Sequence, residues 1–151
     1  MRFSTWRAAG NEYLLAERAE LGAPLTAEDV REVCQGADGV LEVVASDGDE
    51  AEIVIWNADG SQAEMSGNGT RIAARWLANR SGTTDVHIRV GELVVTSHLR
   101  ADGSIEQEMG NVEVGRAEMV AGIELVPVSV GNPHAVVRGD PAEISRIGPL
   151  L

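Results

Sequence analysis

Asn57-Ala58-Asp59-Gly60-Ser61 and Ser66-Gly67-Asn68-Gly69-Thr70-Arg71 gather amide and hydroxyl side chains among glycines, just ahead of an apolar-striped segment. Glycine and asparagine tolerate backbone geometry that other residues avoid. Ahead of a helix, such a loop presents N–H groups with no partner inside the helix, and these carry partial positive charge. A carboxylate could bind there without a cationic side chain, and a hydroxyl beside it could bind or exchange a proton. Nucleotide binding is weakly supported, because Ile72 stands where a dinucleotide fingerprint needs its third glycine and no Lys-Ser/Thr pair follows. The same glycines would also make a tight strand-to-helix turn with no ligand, so spacing alone leaves both readings open.

Gly131-Asn132-Pro133-His134 is the second polar constellation. An asparagine before proline is held extended, which could aim its amide at a ligand. His134 could act as a base, an orienting group or a plain strand residue. His87 and His98 fall in strand patterns without ligand spacing.

These segments must be positioned by the rest of the 151 residues, room for one ordinary domain or two small ones. An apolar share of 44% argues against disorder. A net charge of −12 with no Lys/Arg cluster argues against nucleic acid as a partner. The lone Cys34 excludes an intrachain disulfide and a cysteine-rich zinc site, and reads as a small buried apolar group. No apolar run reaches the ~20 residues of a membrane span, and the N-terminus has no signal-peptide core. Cytoplasmic location is the expectation, with no metal.

Strands are expected at Arg2 to Thr5, Tyr13 to Ala16, Val40 to Ala45 and Glu52 to Trp56, the last two joined by a polar turn, Asp47-Gly48-Asp49-Glu50. Thr26, with Asp29 three residues on, starts a helix that runs to about Gln35. A second helix pairs Ile72 with Trp76 and Ala73 with Leu77 at spacing four, running to about Asn79. Strands follow at Asp85 to Val90, Leu93 to Leu99, Ser104 to Met109, Glu113 to Met119, Ile123 to Val130 and Ala135 to Arg138. Two helices among many short strands predict an α+β fold, an antiparallel-rich mixed sheet wrapped around a central helix near residues 70–80.

Six segments taken in order resemble the diaminopimelate epimerase family. They are Gly10-Asn11-Glu12-Tyr13, Gly36-Ala37-Asp38-Gly39-Val40, Asn57-Ala58-Asp59-Gly60-Ser61, Ser66-Gly67-Asn68-Gly69-Thr70-Arg71, Gly131-Asn132-Pro133-His134 and Gly148-Pro149-Leu150-Leu151. The resemblance implies a half-barrel fold, with residues 1–112 most of a first domain and 113–151 the start of a second. It implies an isomerase of lysine and cell-wall biosynthesis that inverts an amino acid α-carbon by two-base proton transfer, with no cofactor. Asn11, Asn57 and Asn132 would hold the substrate's amino and carboxylate groups. Gly67, Asn68 and Gly69 would cradle the carboxylate beside the reacting carbon, and His134 would support the site.

Position 66 departs from the family, which carries cysteine there and works it against a second cysteine on the opposite face of the α-carbon. A thiol of pKa ~8.5 can serve as a base near neutrality, whereas an alkoxide is far harder to form. Length is the other departure, since the chain covers only about half of the family's and lacks the second cysteine. A partial sheet leaves unpaired edges, so self-association or a complementary C-terminal half is expected, or else the 151 residues are a fragment; a 16 kDa monomer with two-state unfolding would contradict this. Two functional readings stand: an epimerase acting on a diaminopimelate-like amino acid, or a catalytically impaired member or fragment that binds an amino acid or needs a partner half-chain.

Overall fold

Residues 2–151 are described by a computed structural model. Backbone packing divides them into two compact units, one ending at Met109 and the other running from Gly110 to Leu151.

In the first unit β1 (Ser4–Ala8) and β2 (Asn11–Glu17) form a hairpin. Its two-residue loop, Ala9-Gly10, has both φ angles positive (47° and 92°), the sense that matches strand twist. The chain then passes through α1 (Arg18–Leu21) and α2 (Ala27–Val33) to β3 (Gly39–Asp47), parallel to β2. Next come β4 (Glu50–Asn57), antiparallel to β3, and the short β5 (Gln62–Ala63), paired to β4. Helix α3 (Gly67–Ser81) leads to β6 (Asp85–Val90), parallel to β4. Antiparallel β7 (Leu93–Leu99) and β8 (Ile105–Glu108) complete an eight-stranded sheet, in the order β1-β2-β3-β4-β6-β7-β8 with β5 on β4.

The two parallel pairs explain where the helices lie. Steps β2 to β3 and β4 to β6 move the same way along the sheet, but strand direction reverses between them. Right-handed crossovers must then put their helices on opposite faces. Side-chain alternation follows suit. Tyr13, Leu15, Leu41, Val43, Ile53 and Ile55 pack with Ile72, Ala73, Ala74 and Leu77 of α3. The alternate residues Leu14, Val40, Val54 and Trp56 pack around α2 with Leu25, Val30 and Cys34. Each fully buried Leu or Ile here is worth about 2 kcal/mol. The α+β architecture with a sheet curled around a central helix is as expected.

Strand β3 is thus buried on both faces, and Glu42 lies in it with no exposure at all. Its carboxylate accepts from Arg18 Nε (2.7 Å), Leu25 N (3.2 Å) and Trp56 Nε1 (3.1 Å). The bond to Glu42 in turn holds the Arg18 guanidinium above its ordinary value. This cluster pins α1 and the loop before α2 to the outer face. Glu42→Ala is expected to cost about 3 kcal/mol, because an indole N–H and a backbone N–H lose their acceptor while partly exposed Arg18 turns to water. Urea unfolding followed by tryptophan fluorescence measures it.

Several boundaries differ from the sequence expectation. The first strand is Ser4–Ala8 rather than residues 2–5, because the hairpin extends to its two-residue turn. Helix α1 carries no apolar stripe and was not expected. Helix α3 starts at Gly67, five residues before its apolar stripe, because Ser66 caps it. The capping box of α2 at Thr26 and Asp29 is present as expected.

The second unit is a four-stranded antiparallel sheet in which β11 (Ile123–Ser129) pairs with β9 (Glu113–Val114), β10 (Glu118–Val120) and β12 (Pro133–Val137). One strand was expected over 113–119. It breaks because Gly115 lies against Pro127, where an added Cβ would sit 2.9 Å from the ring. A helical turn, α4 (Ile144–Ile147), follows.

Candidate active site

Ser66 is the N-cap of α3, extended at φ −144° and ψ 115°. Its Oγ accepts the Gly69 N–H at 3.0 Å, and its carbonyl accepts the Thr70 N–H at 2.8 Å. Four N–H groups open every helix. With Gly69 and Thr70 satisfied, no acceptor among the described residues meets the Gly67 or Asn68 N–H. An added Cβ at Gly69 would come within 3.2 Å of the Ser66 side chain and 3.1 Å of Leu41 Cδ2, so glycine there makes room for the cap. At Gly67 the nearest atom to such a Cβ is Met109 Cε, at 3.5 Å.

A chain of charge-anchored hydrogen bonds orients the amides beside this turn. Arg71 Nη1 donates to Asn68 Oδ1 (2.7 Å), and Asn68 Nδ2 donates to Asn11 Oδ1 (2.7 Å). Glu12 N donates to Asp38 Oδ2 at 2.7 Å. That bond and one from the Asn11 side chain hold the Asp38 carboxyl below its ordinary range. Arginine at one end and aspartate at the other therefore fix which way each amide points. Asn11, Asn68 and Ser66 are half-buried, reachable from solvent yet held.

Tyr13, buried on β2, brings its hydroxyl to 3.1 Å from Ser66 Oγ. Beneath the cap, Thr70 Oγ1 donates to the Ser66 carbonyl (3.0 Å) and accepts from Gln107 Nε2 (3.2 Å). Gln107 Nε2 also donates to Ser97 Oγ at 3.1 Å. The helix start is thereby tied to β7 and β8.

Among the expected site residues, Ser66, Gly67, Asn68, Gly69 and Asn11 come together around this turn. Asn57 spends its amide locally: Nδ2 donates to Ser61 Oγ (2.9 Å) inside the β4–β5 turn, with Asp59 Oδ1 accepting from Ser61 N and Oγ. Asn132 and His134 belong to the second unit, where His134 Nε2 donates to Asn132 Oδ1 (3.0 Å) across the turn into β12. Sequence reading gave no role to Thr70, Ser97 or Gln107. Ser97 left a trace, a hydroxyl in the inward-facing row with Val95 of β7. Among the described residues no cluster of His, Cys, Asp and Glu could hold a metal ion, and no helix is long and apolar enough to cross a membrane.

Solved structures share this fold. A predicted epimerase from Pseudomonas aeruginosa superposes with a TM-score of 0.64 at 16% identity, over 93% of this chain and 61% of that one. A probable proline racemase from Agrobacterium radiobacter K84, with carbonate bound, gives 0.60 at 14% identity, over 92% and 50%. The architecture is thus one shared with epimerases and racemases. Within that class the chain belongs to the diaminopimelate epimerase family, whose sequence profile matches residues 8–115. It is 31% identical to the diaminopimelate epimerase of Synechocystis sp., covering 100% of this chain and 65% of the relative. With the enzyme of Acidovorax ebreus it shares 30% identity at the same coverages. The chain therefore spans just under two thirds of the length of these curated relatives.

Proposed function

We propose that this chain carries the carboxylate-binding, proton-exchanging half of a site that inverts the α-carbon of a diaminopimelate-like amino acid without a cofactor. The observation that carries the proposal is the start of α3, where the Gly67 and Asn68 N–H groups meet no acceptor among the described residues and lie beside the Ser66 hydroxyl. Loss of an α-proton leaves charge that spreads into the adjacent carboxylate. Preorganised N–H donors aimed there act where charge develops, and the helix dipole adds to them. Asn11, whose Oδ1 takes the Asn68 Nδ2 hydrogen bond beside this turn, would hold the amino or carboxylate group of the substrate together with Asn57. Inversion also needs a second acid on the opposite face of the carbon.

One observation favours a second reading, binding without turnover. Among the described residues Ser66 Oγ hydrogen-bonds only to Tyr13 and the Gly69 N–H, and none of their carboxylates or imidazoles activates it.

Gly67→Pro separates the cradle from a ligand-free turn. Proline suits the first helical position, so stability holds, but one donor is removed. Binding of diaminopimelate, measured by calorimetry, is expected to weaken about tenfold or more. Unchanged affinity would show that these amides bind no carboxylate. Proton NMR in deuterated water then divides the two readings, since loss of the α-proton signal marks turnover and binding without loss marks the impaired member.

A further inference from the structure

Ser66 has an unusual neighbour for a group asked to move a proton. Tyr13 is 7% exposed, and its hydroxyl has Ser66 Oγ as its only hydrogen-bond partner among the described residues. The ring reaches that place through a gap at Gly39, where an added Cβ would lie 2.9 Å from Tyr13 Cε1. Charged groups on the surrounding elements are engaged elsewhere. Arg7 pairs with Glu12 on the first hairpin, Asp38 takes the Glu12 N–H, and Arg71 donates to Asn68. A buried phenol with a single partner has a single route for its proton.

We propose that Tyr13 is a proton-relay residue acting through Ser66, so that a phenol–hydroxyl pair exchanges the α-proton on this face. The inference rests on the reading of residues 66–69 as an α-carbon site. An alcohol alone is a poor base at neutral pH, whereas phenols ionise near 10, much closer to the working range. In the forward step Ser66 Oγ forms a bond to the α-proton as the Cα–H bond breaks. The proton already on Oγ passes to the Tyr13 phenolate oxygen, and the electron pair of the broken bond spreads into the carboxylate at Gly67 and Asn68. In reverse, Tyr13 returns a proton to Ser66, which delivers one to the carbon and leaves the phenolate as before. Deuterium enters at Ser66 Oγ, which is half-buried and reachable from solvent. Nothing is oxidised or reduced.

Tyr13 is the only tyrosine of the chain, so its hydroxyl's hydrogen bond can be followed directly by the tyrosine Fermi doublet in the Raman spectrum. Ser66→Ala removes the protein partner of that hydroxyl, and is expected to change the intensity ratio of the doublet. Ser66→Gly, which keeps the helix start within a few tenths of a kcal/mol, should do the same. A ratio unmoved in both variants overturns the proposal. The second readout is α-proton exchange into deuterated water. Tyr13→Phe should lower it about tenfold or more and abolish the rise in rate on the alkaline side. Set on Ser66→Cys, whose thiolate needs no relay, the same Tyr13→Phe change should cost less than about threefold. Equal losses in both backgrounds would mean that Tyr13 only packs, and the relay fails. Absence of exchange in both the parent chain and Ser66→Cys would sink the α-carbon reading instead, and the Raman doublet then decides the coupling alone.

Discussion

Ser66→Cys is expected to accelerate α-proton exchange by about a hundredfold or more, while lowering stability by about 1 kcal/mol. The two effects have different origins. A thiol ionises near 8.5 in the open, and the start of a helix pulls it lower, so an appreciable thiolate fraction exists at neutral pH. General acid–base assistance of this kind contributes roughly 10² to 10⁴ in rate. Sulfur is a weaker acceptor than oxygen, however, and the Gly69 N–H loses most of its 3.0 Å cap. Loss of the α-proton NMR signal of diaminopimelate in deuterated water measures the first effect, and urea unfolding the second. If the cap weakens and exchange does not rise, position 66 is not where the proton moves.

The largest structural effect should come from Gly39→Ala, at about 4 kcal/mol or more. The added Cβ would lie 2.1 Å from the Trp56 carbonyl oxygen and 3.2 Å from its carbonyl carbon. Those are backbone atoms of β4, one residue from Asn57, the partner of Gly39 in the ladder. No rotamer relieves the clash, so the β3–β4 pairing must open or shift, and costs of this size come from few other mechanisms. Circular dichroism and the denaturant midpoint report the loss. The same substitution pushes on the Tyr13 ring, so any fraction that remains folded should also show a disturbed Tyr13–Ser66 contact.

Much of this was legible in the chain itself. Thr26 with Asp29, the polar turn at 47–50 and the 72–77 stripe each rest on interactions between residues a few positions apart, and such signals survive in a linear reading. The loop at 66–71 announced itself for the same reason, since a cap and its helix are neighbours. Contacts that depend on pairing across the sheet were hidden. Tyr13 and Ser66 are 53 residues apart, and only the parallel register of β2 on β3, with α3 over that face, brings them together. Neither parallel pairing has a short-range signature. Glu42 has no signal of its own within the strand at 40–45, because its burial depends on the covering of both faces of β3. Asn57 shows the reverse problem, because its position by motif is clear and only the turn to Ser61 reveals where its amide points.

The concealment of Cys34 has a practical side. It is the chain's one thiol, 9% exposed in the cluster around α2, and burial pushes its pKa up. The native chain is therefore close to silent toward thiol reagents, which attack the accessible thiolate. A cysteine placed at position 66 would be the single reactive sulfur in the folded molecule. Alkylating it would count competent sites one by one, and protection by a bound amino acid would locate the ligand without any turnover at all.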